Sequence, residues 1–117
     1  MKFFRLEDPI YKFNWYVQFG DSVQSAAQRF QEATSCQTWD ISNSAHAIFT
    51  SANDFWGGLL WFSEANPSPG TIAHEVIHAT FHAMRKLEAK IVDEHIEEVF
   101  AYYADWLVQH ITKRKRK

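Results

Sequence analysis

The residues best suited to chemistry are His74, Glu75 and His78, in the run His74-Glu75-Val76-Ile77-His78. On an α-helix, residues four apart lie one above the other on the same face. The imidazoles of His74 and His78 can therefore converge on a single metal ion. Glu75 is turned about 100° around the helix from His74. It is badly placed to ligate that ion but well placed to reach a water on it. Zinc lowers the pKa of a bound water to about 7, and an adjacent carboxylate can take its proton. The pattern thus points to Zn2+ and hydrolysis at a carbonyl, with His74 and His78 as ligands and Glu75 as general base.

A catalytic zinc needs a third protein ligand. Cys36 is the only cysteine, so Cys₂His₂ and Cys₄ sites are excluded and the ligand must be a histidine or a carboxylate. The last predicted helix offers Glu94, Glu97 and Glu98, and less readily His95. His82 extends the His74, His78 line by one turn and can either line the cleft and stabilise an oxyanion or serve as a core-edge histidine. Tyr102 and Tyr103 can polarise a substrate carbonyl, although one of them belongs to the core stripe. A thiol such as Cys36 can block a zinc, but a lone loop cysteine is ordinarily inert.

These residues need elements to hold them. Residues 11–19 are rich in aromatic and β-branched side chains and read as a strand closed by Gly20-Asp21. A helix capped by Asp21 or Ser22 runs from 23 to about 34. Residues 45–50 and 55–62 read as two strands, the second carrying Gly57-Gly58, a pair that marks a bulge or a close backbone approach. That second strand is either a candidate exposed edge for an extended peptide or part of the core sheet, and both readings can hold at once. Asn66-Pro67-Ser68-Pro69-Gly70 is a loop. Thr71 caps the motif helix, which reaches about residue 90. Asp93 caps the last helix, to about 111, with Ile96, Val99, Phe100, Tyr103 and Leu107 as its apolar stripe. The expected fold class is α+β: a small mixed or antiparallel sheet packed on helices, with the zinc between the motif helix and the last helix.

The motif followed by Glu98-Val99-Phe100-Ala101 resembles the gluzincins, whose third ligand is a glutamate on a second helix, often within Glu-x-x-Ala. In size the chain is similar to the minigluzincins and to small phage-encoded HExxH proteins. The resemblance covers residues 59–107. It implies a zincin-like fold, a zinc metallopeptidase, and Glu98 as third ligand, with Glu97 and Glu94 as alternates. The chain lacks the His-x-x-Gly-x-x-His extension of metzincins, since Phe81-His82-Ala83 follows the motif. It also departs from thermolysin-like enzymes, which carry an acid four residues after the ligand glutamate to orient a histidine. Tyr102 stands there, leaving Asp105 or Glu94 to substitute.

Bulk properties bound the rest. The 117 residues suggest a single domain, 1–117. A hydrophobic fraction of 46% and an aromatic fraction of 16% favour a packed globule. Net charge is -2, which gives nucleic acid little hold beyond the basic run Lys113–Lys117, expected to be a frayed tail. Arg5, Glu7, Asp8 and Pro9 interrupt any signal-peptide core, and no transmembrane run is present, so the expectation is a soluble cytoplasmic protein. The expected partner is a peptide or protein substrate. The alternative is a non-catalytic, zinc-stabilised regulatory or accessory module.

Overall fold

The structure is a computed structural model and describes residues 1–38, 47–52, 55–87 and 96–115. Four strands, β1 (Lys2–Glu7), β2 (Asn14–Phe19), β3 (Ala47–Thr50) and β4 (Gly57–Phe62), form one sheet in the order β1-β2-β4-β3. β1 and β3 pair antiparallel with β2 and β4, while β2 and β4 pair parallel, from Asn14↔Gly57 to Phe19↔Phe62. The sheet is therefore mixed, and the α+β expectation holds. Among the described residues, no helix is long and apolar enough to cross a membrane.

Parallel strands need a crossover connection, and helix α1 (Val23–Thr34) lies within it. Its bounds match those read from the sequence: Ser22 is the N-cap, its side chain accepting from the backbone N–H of Ser25, and Ser35 ends the helix in the left-handed conformation. Val23, Ala26 and Phe30 cover one face of the sheet, against Leu59 and Trp61. Helices α2 (Pro69–Leu87) and α3 (Ile96–Lys115) cover the other, where Leu60 and Phe62 meet Ile72, Val76, Leu107 and Ile111. Helices on both faces leave every residue of β4 buried, the pattern of a strand inside a sheet.

This corrects the expectation that 55–62 forms an exposed edge. β4 is hydrogen-bonded on both sides, and the edges are β1 and β3, of which β3 lies beside β4. The glycine pair permits that interior position. A Cβ on Gly57 would lie 1.9 Å from the Asn14 carbonyl oxygen of β2, and one on Gly58 would lie 2.7 Å from that of Thr50 in β3. Gly57 also has φ +139°, which side-chain-bearing residues rarely adopt.

Three further differences have physical causes. The N-terminal residues form β1, whose alternation buries Phe4 and Leu6 and exposes Arg5 and Glu7. α2 begins at Pro69, before Thr71, because the Ser68 hydroxyl accepts the Thr71 N–H at 3.2 Å, and Pro69 suits a first helical position. Lys113–Lys115 are not a frayed tail but the last turn of α3. Lys115 Nζ donates to the Pro67 carbonyl at 2.8 Å, and the Arg114 guanidinium lies 4.2 Å from the centre of the Phe4 ring. Cations there also suit the negative end of the helix dipole. The cap assigned to Asp93, residues 45–46 of the strand read over 45–50, and the motif helix beyond Leu87 lie outside the described residues.

One buried carboxylate joins the start of the chain to α3. Asp8 accepts the backbone N–H groups of Ile10, Tyr11, Lys12 and Phe13, and its Oδ2 also accepts the Tyr103 hydroxyl at 2.6 Å. Tyr103 in turn accepts the Trp15 indole N–H at 2.8 Å. Replacing Asp8 by alanine leaves these donors without their acceptor. We expect Asp8→Ala to destabilise the fold by about 3 kcal/mol, read from the shift in urea unfolding midpoint at an unchanged slope.

Candidate functional site

Helix α2 sorts its residues by rotation about its axis. Ile72, Val76, Ala79 and Ala83 are buried in the core, while His74, Ile77, His78, Phe81 and Arg85 are exposed. Glu75 and His82 lie at the boundary under β3, each only 6% exposed. A cleft of about 450 Å³ runs between α2 and the edge strand. Its helix wall carries His74, Glu75, His78, Phe81, His82 and Arg85, and Ala47 to Phe49 of β3 form the opposite wall.

The motif residues come together as the helical spacing requires. The rings of His74 and His78 are 5.0 Å apart between centres, and Glu75 Oε2 is 4.0 Å from His74 Nε2. Burial raises the Glu75 pKa above its ordinary value of 4.5. The two motif histidines and a hydrogen bond from the Phe49 backbone act against that rise without cancelling it. The result is a carboxylate more basic than a solvated one, beside two imidazoles open to solvent. Imidazole nitrogens are donors of the kind zinc takes, and here two of them share one helix face, with an oxygen base close by but on another bearing.

The other predicted residues are dispersed. Glu97 and Glu98 are exposed in the first turn of α3, and neither lines the cleft. The contact between Phe81 and Phe100, 4.8 Å between ring centres, brings that part of α3 beside the motif helix. Among the described residues, no three His, Cys, Asp or Glu side chains form a group able to hold a metal ion. Glu94 and His95 lie outside the described residues. Asp105 is exposed, and its carboxylate accepts the Gln109 amide at 3.1 Å. Tyr102 lines a second, apolar cavity of about 390 Å³ with Ile10, Tyr11 and Trp106, away from the histidines. Tyr103 is a core residue whose pKa is pushed up by burial and by its bond to Asp8. Cys36 packs with the α1-side cluster, on the opposite face of the sheet from α2.

His82 joins the cleft. Its ring packs against that of Phe49, with centres 5.4 Å apart and planes tilted by 56°. Burial, reinforced by Lys86 and Arg85, lowers its pKa to about 4, so the imidazole is neutral near pH 7. Its Nε2 is buried with no hydrogen-bond partner. An unpaired buried polar group of this kind costs about 1–3 kcal/mol. His82 cannot share an ion with His74, because eight residues advance the helix by about 12 Å.

Sequence reasoning missed Phe49, Phe81 and Arg85. The last two follow His78 at i+3 and i+7, so helical spacing alone could have found them. Phe49 acts across the sheet edge and leaves no local signal. Among protein-family models, curated proteins and solved structures, none matches the chain.

The buried base has a stability consequence. A glutamate whose folded pKa is raised holds protons more tightly in the folded state, so its contribution to stability falls as pH rises from about 4.5 through the folded value. Glutamine removes that penalty and keeps a carbonyl for the Phe49 N–H. We expect metal-free Glu75→Gln to be more stable than wild type at pH 7.5 by roughly 0.5–2 kcal/mol, with the difference vanishing below pH 4. Urea titrations at the two pH values check both the sign and the convergence.

Proposed function

We propose that this chain is a zinc-dependent peptidase, with His74 and His78 as metal ligands, Glu75 as general base and Glu98 as the third ligand. The observation that supports it best is the placement of Glu75. It is a buried carboxylate of raised pKa within 4.0 Å of an exposed motif imidazole, at the mouth of a cleft walled by a sheet edge. A metal site that only tied two helices together would have no use for a base held at such cost.

Zinc, when bound, supplies an acidified water and polarises the substrate carbonyl. The chain's own residues do the remainder. His74 and His78 present their rings to solvent, where an ion can enter. Glu75 takes a proton from the attacking water and can return it to the departing amine. The Phe49 N–H fixes the carboxylate's orientation. The outer edge of β3 offers backbone groups to an extended chain, giving a substrate its direction by strand addition. Glu98 belongs to the first turn of α3, which already meets the motif helix through the contact between Phe81 and Phe100.

Metal content by plasma mass spectrometry, on protein refolded with zinc, tests the ligand set. About one zinc per chain is expected in the wild type, with loss in His78→Ala and Glu98→Ala. Retention in Glu98→Ala would move the third ligand to Glu97 or Glu94, and no metal in the wild type would sink the proposal. Glu75→Gln should keep its zinc while peptide hydrolysis falls about 10²–10⁴-fold. Zinc binding with no hydrolysis by the wild type would favour the non-catalytic module instead.

A further inference from the structure

Among the described residues, one buried side-chain polar atom has no hydrogen-bond partner: His82 Nε2, on a ring that borders the cleft. The motif chemistry does not use His82, and its distance along α2 keeps it off an ion held by His74. The tilted ring contact with Phe49 does not itself need a nitrogen, since a phenylalanine ring could make it as well. Lys86 and Arg85 are the cations that bear on the ring, and in its neutral form one imidazole nitrogen donates and the other accepts. A half-turn about the Cβ–Cγ bond exchanges Nε2 with Cε1 and Nδ1 with Cδ2 at nearly constant volume, so the same packing holds the ring in either orientation.

The position on the helix says where along a bound chain the contact falls. From Glu75 to His82 is seven residues, or about 10 Å along the axis. An extended chain covers that distance in about three residues. Phe49 spans the interval, bonding Glu75 through its backbone and packing against His82 through its ring.

We propose that His82 is a substrate-positioning residue, whose imidazole hydrogen-bonds a backbone group of an extended peptide about three residues from the bond that Glu75 attends. It rests on the reading of the cleft as a peptide site and extends it, making the protein an endopeptidase-like binder that needs several residues on one side of the cut. Short substrates that end before His82 forgo the contact.

The test uses full-length, zinc-supplied Glu75→Gln protein, which holds peptide without turning it over. Fluorescein-labelled random peptide pools, from two to eight residues long, are titrated by fluorescence anisotropy against Glu75→Gln alone and in combination with His82→Phe or His82→Gln. Thermal melts establish that each variant is folded. Affinity should rise with length. His82→Phe should weaken the longest pools roughly five- to tenfold, the worth of one hydrogen bond, and leave the dipeptides unchanged. His82→Gln, which restores an amide donor and acceptor, should recover part of the loss. Equal binding of the longest pools with and without His82→Phe would overturn the assignment, as would a loss uniform across lengths; the peptide site itself would stand. If no pool of any length binds, the peptide-site reading falls and the assignment with it. Length- and His82-dependent binding by a protein whose wild type hydrolyses nothing would uphold the assignment and remove only the hydrolytic reading.

Discussion

The rotation of α2 about its own axis is the constraint on which the cleft depends. Ile72, Val76, Ala79 and Ala83 must face the sheet, because leaving large apolar side chains in water costs about 1.5–3 kcal/mol each. Once that stripe is fixed, the 3.6-residue period allows no freedom elsewhere. His74 and His78 turn outward, while Glu75 and His82 come to rest beneath β3. The small side chains of Ala79 and Ala83 let the helix lie close to the strands. A rotation by about 100°, the angle of one residue, would carry Glu75 out from under β3, and the chemistry suggested by the motif would be lost.

The sheet imposes the complementary constraint. β4 is clamped between β2 and β3, and the glycines at 57 and 58 allow its backbone to approach both neighbours without collision. The short strand β3 is left as the edge over α2, which is why one of its residues, Phe49, can touch two cleft residues at once. At the far side, Asp8 gathers four backbone donors and the Tyr103 hydroxyl, tying the β1–β2 connection to α3. α3 is thereby held against the core by Tyr103, Leu107 and Ile111, while its first turn, with Glu97 and Glu98, stays at the surface.

What the sequence made legible follows the reach of local rules. α1 was read to the residue, because Ser22 and a regular apolar stripe are local signals. The convergence of His74, Glu75 and His78 needed only helical spacing. β1 was missed because its alternation is short and charged, and Phe3 and Phe4 invited comparison with a leader segment. Between the two readings open for residues 55–62, edge or core sheet, the missing alternation of 57–62 is the sign of a strand covered on both faces. The basic end was read as solvated because its partners, Phe4 and Pro67, are far away in sequence. The relation of Glu98 to the motif is of the same kind, set by how two helices pack rather than by either helix alone.

Exposure of the two motif histidines is unremarkable by itself, since polar residues on the outer face of an amphipathic helix are what solvent favours. The two groups on the buried side of the same helix wall are different. Glu75 is buried where its charged form is disfavoured, and His82 is buried where its nitrogen has no partner. Each would be replaced at a gain in stability by a residue of similar shape without the polar cost. A sequence that keeps both, seven residues apart on one helix and both against Phe49, breaks the rules that make its remaining core consistent. Such violations concentrate where a protein meets something other than itself. On that ground the pair under β3, more than the pair in solvent, supports reading the cleft as a place built for a ligand.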